Sequence, residues 1–125
     1  MKYLIVDDNR NMRETLKQML GTKSNEFMEG SDGSESIDLF REFHPDWVLM
    51  DIRMKQMDGI TATRQLVQTF PHAKVLIVTD YNDDKLRLAA GNAGALGFLL
   101  KESLSEISAI IEQVQGQHFI NHHQE

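Results

Sequence analysis

The chain has no cysteine. That excludes a disulfide framework and thiol chemistry, and it suits a reducing, cytoplasmic setting. Positive charge is also scarce: 13 Lys and Arg stand against 19 Asp and Glu, for a formal net charge of −6. Gripping nucleic-acid phosphates needs a basic stripe, so this balance argues against a nucleic-acid surface within these residues. No apolar run approaches the roughly 20 residues of a membrane helix. Met1-Lys2-Tyr3 leads straight into an apolar run, and the expectation is that no signal peptide precedes the fold. Internal repeats, low-complexity segments and internal linkers are missing too.

What is present is one domain's worth of chain: 125 residues, 41% hydrophobic, enough for a real core. Five short β-rich runs alternate with five helical patterns. The runs cover residues 2–6, 25–30, 46–50, 73–78 and 95–100. Asn9 is placed to cap a first helix whose stripe is Met12, Leu16, Met19 and Leu20, with Gly21 ending it. After the Asp32-Gly33 turn, Ile37, Phe40 and Phe43 mark a second helix, stopped at His44-Pro45. The third runs from about Gly59 to Thr69, with Ile60, Thr63, Val67 and Phe70 on one side. Asn82 or Asp83 caps a fourth, carrying Leu86, Ala89, Ala90 and Ala93 and ending at Gly94. Ser103 and Glu106 form a capping box for a fifth, striped by Ile107, Ile110, Ile111 and Val114. The polar stretch 117–125, with His118, His122 and His123, reads as a linker stub.

Strand–helix alternation with short connections predicts βαβ units, hence an α/β, doubly wound parallel sheet with helices on both faces. Ligands of such sheets sit beyond the carboxyl ends of the strands, where the strand order reverses. For the order 2-1-3-4-5, that point lies between strands one and three.

The chain places chemistry at those ends. Leu4-Ile5-Val6 runs into Asp7-Asp8, Val48-Leu49-Met50 into Asp51, Val75 to Val78 into Thr79-Asp80, and Phe98-Leu99-Leu100 into Lys101. Asp7, Asp8 and Asp51 crowd like charges, which raises at least one of their pKa values unless a cation neutralises them; a divalent metal is the simplest resolution. Carboxylate oxygens suit Mg²⁺, and with no His or Cys near these motifs zinc does not fit. Lys101 brings a phosphate-binding ammonium and Thr79 a hydroxyl. The set reads as a phosphoryl-transfer site in which a carboxylate can be the nucleophile. Taken singly, each residue has an ordinary alternative: Asp7-Asp8 and Thr79 as helix caps, Lys101 as a solvated loop lysine. Their joint placement after strands one, three, four and five argues for the site.

At this point the chain resembles the receiver domains of two-component response regulators. The motifs are Leu4-Ile5-Val6-Asp7-Asp8-Asn9, Val48 to Met54 with Met57-Asp58-Gly59, Val78-Thr79, and Gly97 to Lys101. The resemblance covers residues 1–115, and the domain is set at 1–116 with 117–125 as tail. It implies a flavodoxin-like, CheY-like fold and a phosphoryl transfer to Asp51 from a sensor histidine kinase. It implies Mg²⁺ ligation by Asp8 and Asp51, by Asp7 mainly through water, and by the Arg53 carbonyl. Lys101 would pair with the phosphoryl group, Thr79 would swing towards it, and Phe98 would be the aromatic switch. The responding surface would be the fourth helix, fifth strand and fifth helix.

Some positions depart from the pattern. Asp80 puts another carboxylate where receivers carry a small residue; it either slows phosphorylation or points outward. Arg53 and Tyr81 occupy positions that shape water access to the aspartyl phosphate, and their bulk implies slow self-hydrolysis. Lys55 stands in a loop that often has proline, and Phe98 replaces a tyrosine. Glu102 is similar to the receivers of LuxR- or NarL-type transcription factors. The expected role is therefore a phosphorylation switch, not a conventional enzyme, forming a homodimer on activation and reaching DNA only through a domain outside this chain. A stand-alone receiver and one acting by protein contact alone are the alternatives. An aspartyl phosphatase would need Asp where Arg53 stands, and a flavin module would be repelled by Asp7-Asp8.

Overall fold

Five parallel strands form one sheet in the order β2-β1-β3-β4-β5. They are β1 (Lys2–Val6), β2 (Glu26–Gly30), β3 (Trp47–Met50), β4 (Val75–Thr79) and β5 (Gly97–Leu100). The helices between them are α1 (Arg10–Leu20), α2 (Ser36–Phe43), α3 (Gly59–Thr69) and α4 (Asp84–Ala93). A fifth, α5, spans 107–114. This computed structural model describes residues 1–114. The boundary expected after residue 116 and the histidine-bearing tail lie outside the described residues. The doubly wound α/β architecture and its strand order are those expected from the alternation.

Alternate strand residues point to opposite faces of a sheet, and here both faces are dry. Tyr3, Ile5, Trp47, Leu49, Leu76, Val78 and Leu99 pack under α1 and α5, against Leu16, Leu20, Ile107 and Ile111. Leu4, Val6, Val48, Met50, Val75 and Ile77 pack on the other face against Ile60, Leu66, Ala90 and Ala93 of α3 and α4. Burial on both faces is why these strands read as continuous apolar runs. Each such side chain contributes about 1.5–3 kcal/mol, which fixes the sheet that carries the site.

The helices start where short polar side chains can accept their first free N–H groups. Asn9 Oδ1 accepts from Met12 N at 3.2 Å. Asp58 Oδ1 takes Ile60 N and Thr61 N, both at 2.9 Å. Asp83, and not Asn82, caps α4, accepting from Lys85 N at 2.8 Å and Leu86 N at 3.1 Å. Gly94 ends α4 at φ 107°, a left-handed conformation that side-chain-bearing residues resist.

Three expectations need correction. Met19 is 42% exposed, so Leu16 and Leu20 carry the buried stripe of α1. In α3 Val67 is only half-buried, because the face turned to the sheet is Ile60, Thr63 and Leu66. The capping box at Ser103 and Glu106 does not form among the described hydrogen bonds. Lys101–Glu106 is instead a 3₁₀ stretch with Ser103 at φ −116°, ψ 28°. The chain there serves two anchors, the Lys101 ammonium at the sheet edge and the buried Leu104 side chain, and it turns tightly between them.

Candidate functional site

The register of the sheet builds the site. Val6 pairs with Met50, and Asp51 N donates to Val6 O at 2.9 Å. The next residue of each strand is therefore a carboxylate beside a carboxylate. One oxygen each from Asp7, Asp8 and Asp51 lie within 4.8 Å of one another. Asp7 is 2% exposed and Asp51 8%, whereas Asp8 faces solvent. From β5, Lys101 Nζ reaches 3.0 Å from Asp7 Oδ2 and 3.4 Å from Asp51 Oδ1, with its side chain 9% exposed. Thr79, at the end of β4, is fully buried, and its Oγ1 accepts from Tyr81 N at 3.3 Å.

Charge is unbalanced in this pocket. Burial, and then the Asp7 charge, push the Asp51 carboxyl up to about 6 against the pull of Lys101. Burial acts to lower the Lys101 pKa, but the Asp7 hydrogen bond and the Asp51, Asp7 and Asp80 charges hold it above its ordinary value. One ammonium does not neutralise three carboxylates. The donor set is all oxygen, partly buried and open on the Asp8 side, which fits a hard divalent cation such as Mg²⁺ held by Asp7, Asp8 and Asp51.

The loop after β3 is pinned on this pocket. Gly59 N donates to Ile52 O at 2.7 Å, and a Cβ on Gly59 would collide with the Asp51 carbonyl oxygen. Asp32, from the loop after β2, reaches across. Its Oδ1 accepts from Gln56 N at 2.9 Å and its Oδ2 from Met57 N at 3.2 Å. Slight burial works the other way, but these N–H donors and Ser34 bring the Asp32 carboxyl down to about 2.

With this geometry in view, comparison with known proteins is decisive. Residues 3–114 match the response regulator receiver domain model. The chain belongs to that family. Among curated relatives, the transcriptional regulatory protein DegU of Brevibacillus brevis is 36% identical over 118 residues, covering 92% of this chain and 49% of that one. The response regulator VraR of Staphylococcus aureus is 38% identical over 103 residues, covering 81% of this chain and 49% of its own length. This receiver thus spans about half the length of those relatives. A LuxR-family two-component response regulator from Aurantimonas sp. SI85-9A1 superposes with a TM-score of 0.84 at 31% identity, over 92% of this chain and 85% of that one. The likeness is to receivers of the LuxR and NarL type, as the motifs and Glu102 implied. Receivers generally hold Mg²⁺ at an acidic pocket, and the Asp cluster of this one stands at the corresponding sheet edge.

The residues singled out in the sequence meet at this edge to different degrees. Asp7, Asp8, Asp51 and Lys101 converge. Asp80 is 71% exposed, yet its Oδ2 lies 4.0 Å from Lys101 Nζ. Arg53 is exposed and its guanidinium lies over the Tyr81 ring at 4.3 Å from the centroid, so the loops after β3 and β4 touch at the rim. Phe98 is half-buried, with the Arg87 guanidinium 4.7 Å from its ring centroid. Lys55 lines a cavity of about 430 Å³ together with Asp8, Asp32 and Gln56.

Two supports escaped the sequence reading. One is the Asp32 tie. The other is Arg13, whose Nη1 donates to the Asp7 carbonyl oxygen at 2.7 Å and whose Nε bonds Glu29 Oε1 at 2.9 Å. Lys17 Nζ reaches the second Glu29 oxygen at 2.9 Å. Turn chemistry at Asp32-Gly33 hinted at the first; for the second, the sequence held only unpaired charges.

Proposed function

We propose that this receiver is a phosphorylation-driven switch in which Asp51 is the phosphoryl acceptor. The observation that carries the reading is the Lys101 ammonium, held 3.4 Å from Asp51 Oδ1 and 3.0 Å from Asp7 Oδ2. An Asp51 oxygen attacks phosphorus, the bond from phosphorus to a donor phosphohistidine nitrogen breaks, and the product is an aspartyl phosphate. A bound Mg²⁺ would draw charge from the transferring oxygens. Asp7, Asp8 and Asp51 hold it in this reading, with the Arg53 carbonyl completing the set. Lys101 leaves Asp51 to pair with the new phosphoryl oxygens. Thr79 donates its hydroxyl to them, and Phe98 turns inward behind it. Arg53 and Tyr81 cover the acyl phosphate against water.

The change is a local charge event acting on a two-state element. It alters the face formed by α4, β5 and α5. The donor is a sensor histidine kinase, the setting is cytoplasmic, and activation favours a homodimer. DNA is reached through an output domain outside this chain, a reading supported by relatives such as DegU that are about twice as long. The protein catalyses only its own phosphorylation and slow dephosphorylation.

The test is intact mass after incubation with acetyl phosphate, with and without Mg²⁺, on the native protein and on Asp51→Asn. A Mg²⁺-dependent phosphoryl adduct that vanishes in the variant is the expected result. An adduct that persists in Asp51→Asn sinks the assignment.

A further inference from the structure

We infer that Asp80 selects the phosphodonor by charge. The inference rests on the switch reading above and deepens it. Asp80 follows the buried Thr79, but its own side chain is 71% exposed, so nothing in the core requires a carboxylate there. It does not point away from the pocket. Its Oδ2 lies 4.0 Å from Lys101 Nζ, the same ammonium that lies 3.4 Å from Asp51 Oδ1. Through that shared cation the Asp80 and Asp51 carboxylate oxygens stand no more than about 7.4 Å apart, inside the ~8–10 Å screening length of physiological salt. Asp80 is also outside the trio whose oxygens meet within 4.8 Å. Its charge therefore stands at the exposed rim beside Lys101 without being part of the candidate cation cradle.

Any donor that brings phosphorus to Asp51 brings its negative charge to within reach of the Asp80 carboxylate. At about 7 Å, in surroundings between water and protein surface, one unit of like charge costs a factor of about three to eight in rate. Acetyl phosphate is doubly negative at neutral pH, and phosphoramidate carries a single net negative charge. The penalty grows with donor charge, so Asp80 discriminates against small dianionic acyl phosphates. A kinase can offset it by docking its phosphohistidine with compensating positive charge. In each case the balance is the same: the Asp51 oxygen–phosphorus bond forms, and the bond from phosphorus to acetate oxygen or to ammonia nitrogen breaks.

The experiment compares initial rates of Asp51 phosphorylation by acetyl phosphate and by phosphoramidate, in saturating Mg²⁺, for native protein, Asp80→Asn and Asp80→Lys. Thermal unfolding verifies that the exposed substitutions leave the fold intact. The expected result is a ratio of acetyl phosphate to phosphoramidate rates that rises about three- to eightfold in Asp80→Asn and further in Asp80→Lys. The gap closes as salt is raised. A donor ratio indifferent to residue 80 overturns the inference while leaving the switch intact. The absence of an Asp51 adduct in every protein with both donors overturns the switch reading, and this inference with it.

Discussion

Lys101 Nζ stands between two carboxylates that belong to neighbouring strands, 3.0 Å from Asp7 Oδ2 and 3.4 Å from Asp51 Oδ1. Removing it strands two buried charges. Lys101→Met should cost about 2 kcal/mol in the metal-free protein, less than the full penalty for a deeply buried pair because the pocket opens to water on the Asp8 side. Its Mg²⁺ affinity should rise several-fold, since the ammonium repels an incoming cation. Urea titrations and Mg²⁺ calorimetry check both signs, and a weaker Mg²⁺ affinity would contradict the electrostatic account.

Asp51 holds its proton more tightly when folded, with a pKa raised to about 6, than the ~3.9 of an unfolded chain. Between those values the folded state binds more protons, so stability falls as pH rises through the window. Asn at this position carries no charge. Metal-free Asp51→Asn should therefore be more stable than the native protein at pH 7 by up to about 3 kcal/mol. The advantage should fade below about pH 4, where both forms of Asp51 are protonated, and shrink when Mg²⁺ is added. Denaturant melts across pH are the measurement.

Asp32 shows the opposite sign. Its carboxyl is depressed to about 2 by the N–H donors it accepts, so its contribution is present above the unfolded value and is lost as pH falls through about 2. Asp32→Ala should cost about 1–2 kcal/mol, as lost caps and charge-assisted hydrogen bonds do. Amide exchange should quicken at Gln56 and Met57, while protection in β1 is retained relative to global stability.

Gly59 admits no side chain, because a Cβ meets the Asp51 carbonyl oxygen and backbone cannot rotate aside. Gly59→Ala should destabilise by about 1–3 kcal/mol and weaken Mg²⁺ binding, since the Asp51 backbone must shift. Unchanged Mg²⁺ affinity would mean that the loop yields rather than the strand.

The Arg53–Tyr81 stack at 4.3 Å makes a rate prediction. Tyr81→Ala should shorten the lifetime of the Asp51 phosphoryl adduct several-fold, read by following its decay after donor removal. A lifetime equal to that of the native protein would leave the stack with no shielding role.

Much of this was legible in the chain because parallel sheets reduce to a short-range rule. Residues directly after a buried strand gather at one edge, so Asp7, Asp51, Thr79 and Lys101 could be brought together without knowing a single distance. The cap at Asn9 was readable for the same local reason, and that of α4 was narrowed to Asn82 or Asp83, of which Asp83 serves. Asp32 and Arg13 were not. Their partners, Gln56 and Met57 in one case and Glu29 and the Asp7 carbonyl in the other, lie on other elements, and their side chains follow no period. The position of the Asp80 side chain also needed coordinates: it is 71% exposed, with Oδ2 4.0 Å from Lys101 Nζ.

The strand order carries a consequence for how the chain is made. Asp7 and Asp8 are made before Asp51, but their counter-charge, Lys101, directly follows β5 and is translated only after the other four strands. A nascent sheet of β1 to β4 would carry three mutually repelling carboxylates without the Lys101 ammonium that pairs with two of them. Docking of β5 completes the hydrogen bonding of β4 and brings one ammonium against Asp7 and Asp51 in the same event. The last strand of this sheet to be made is thus the one that eases the acidic edge.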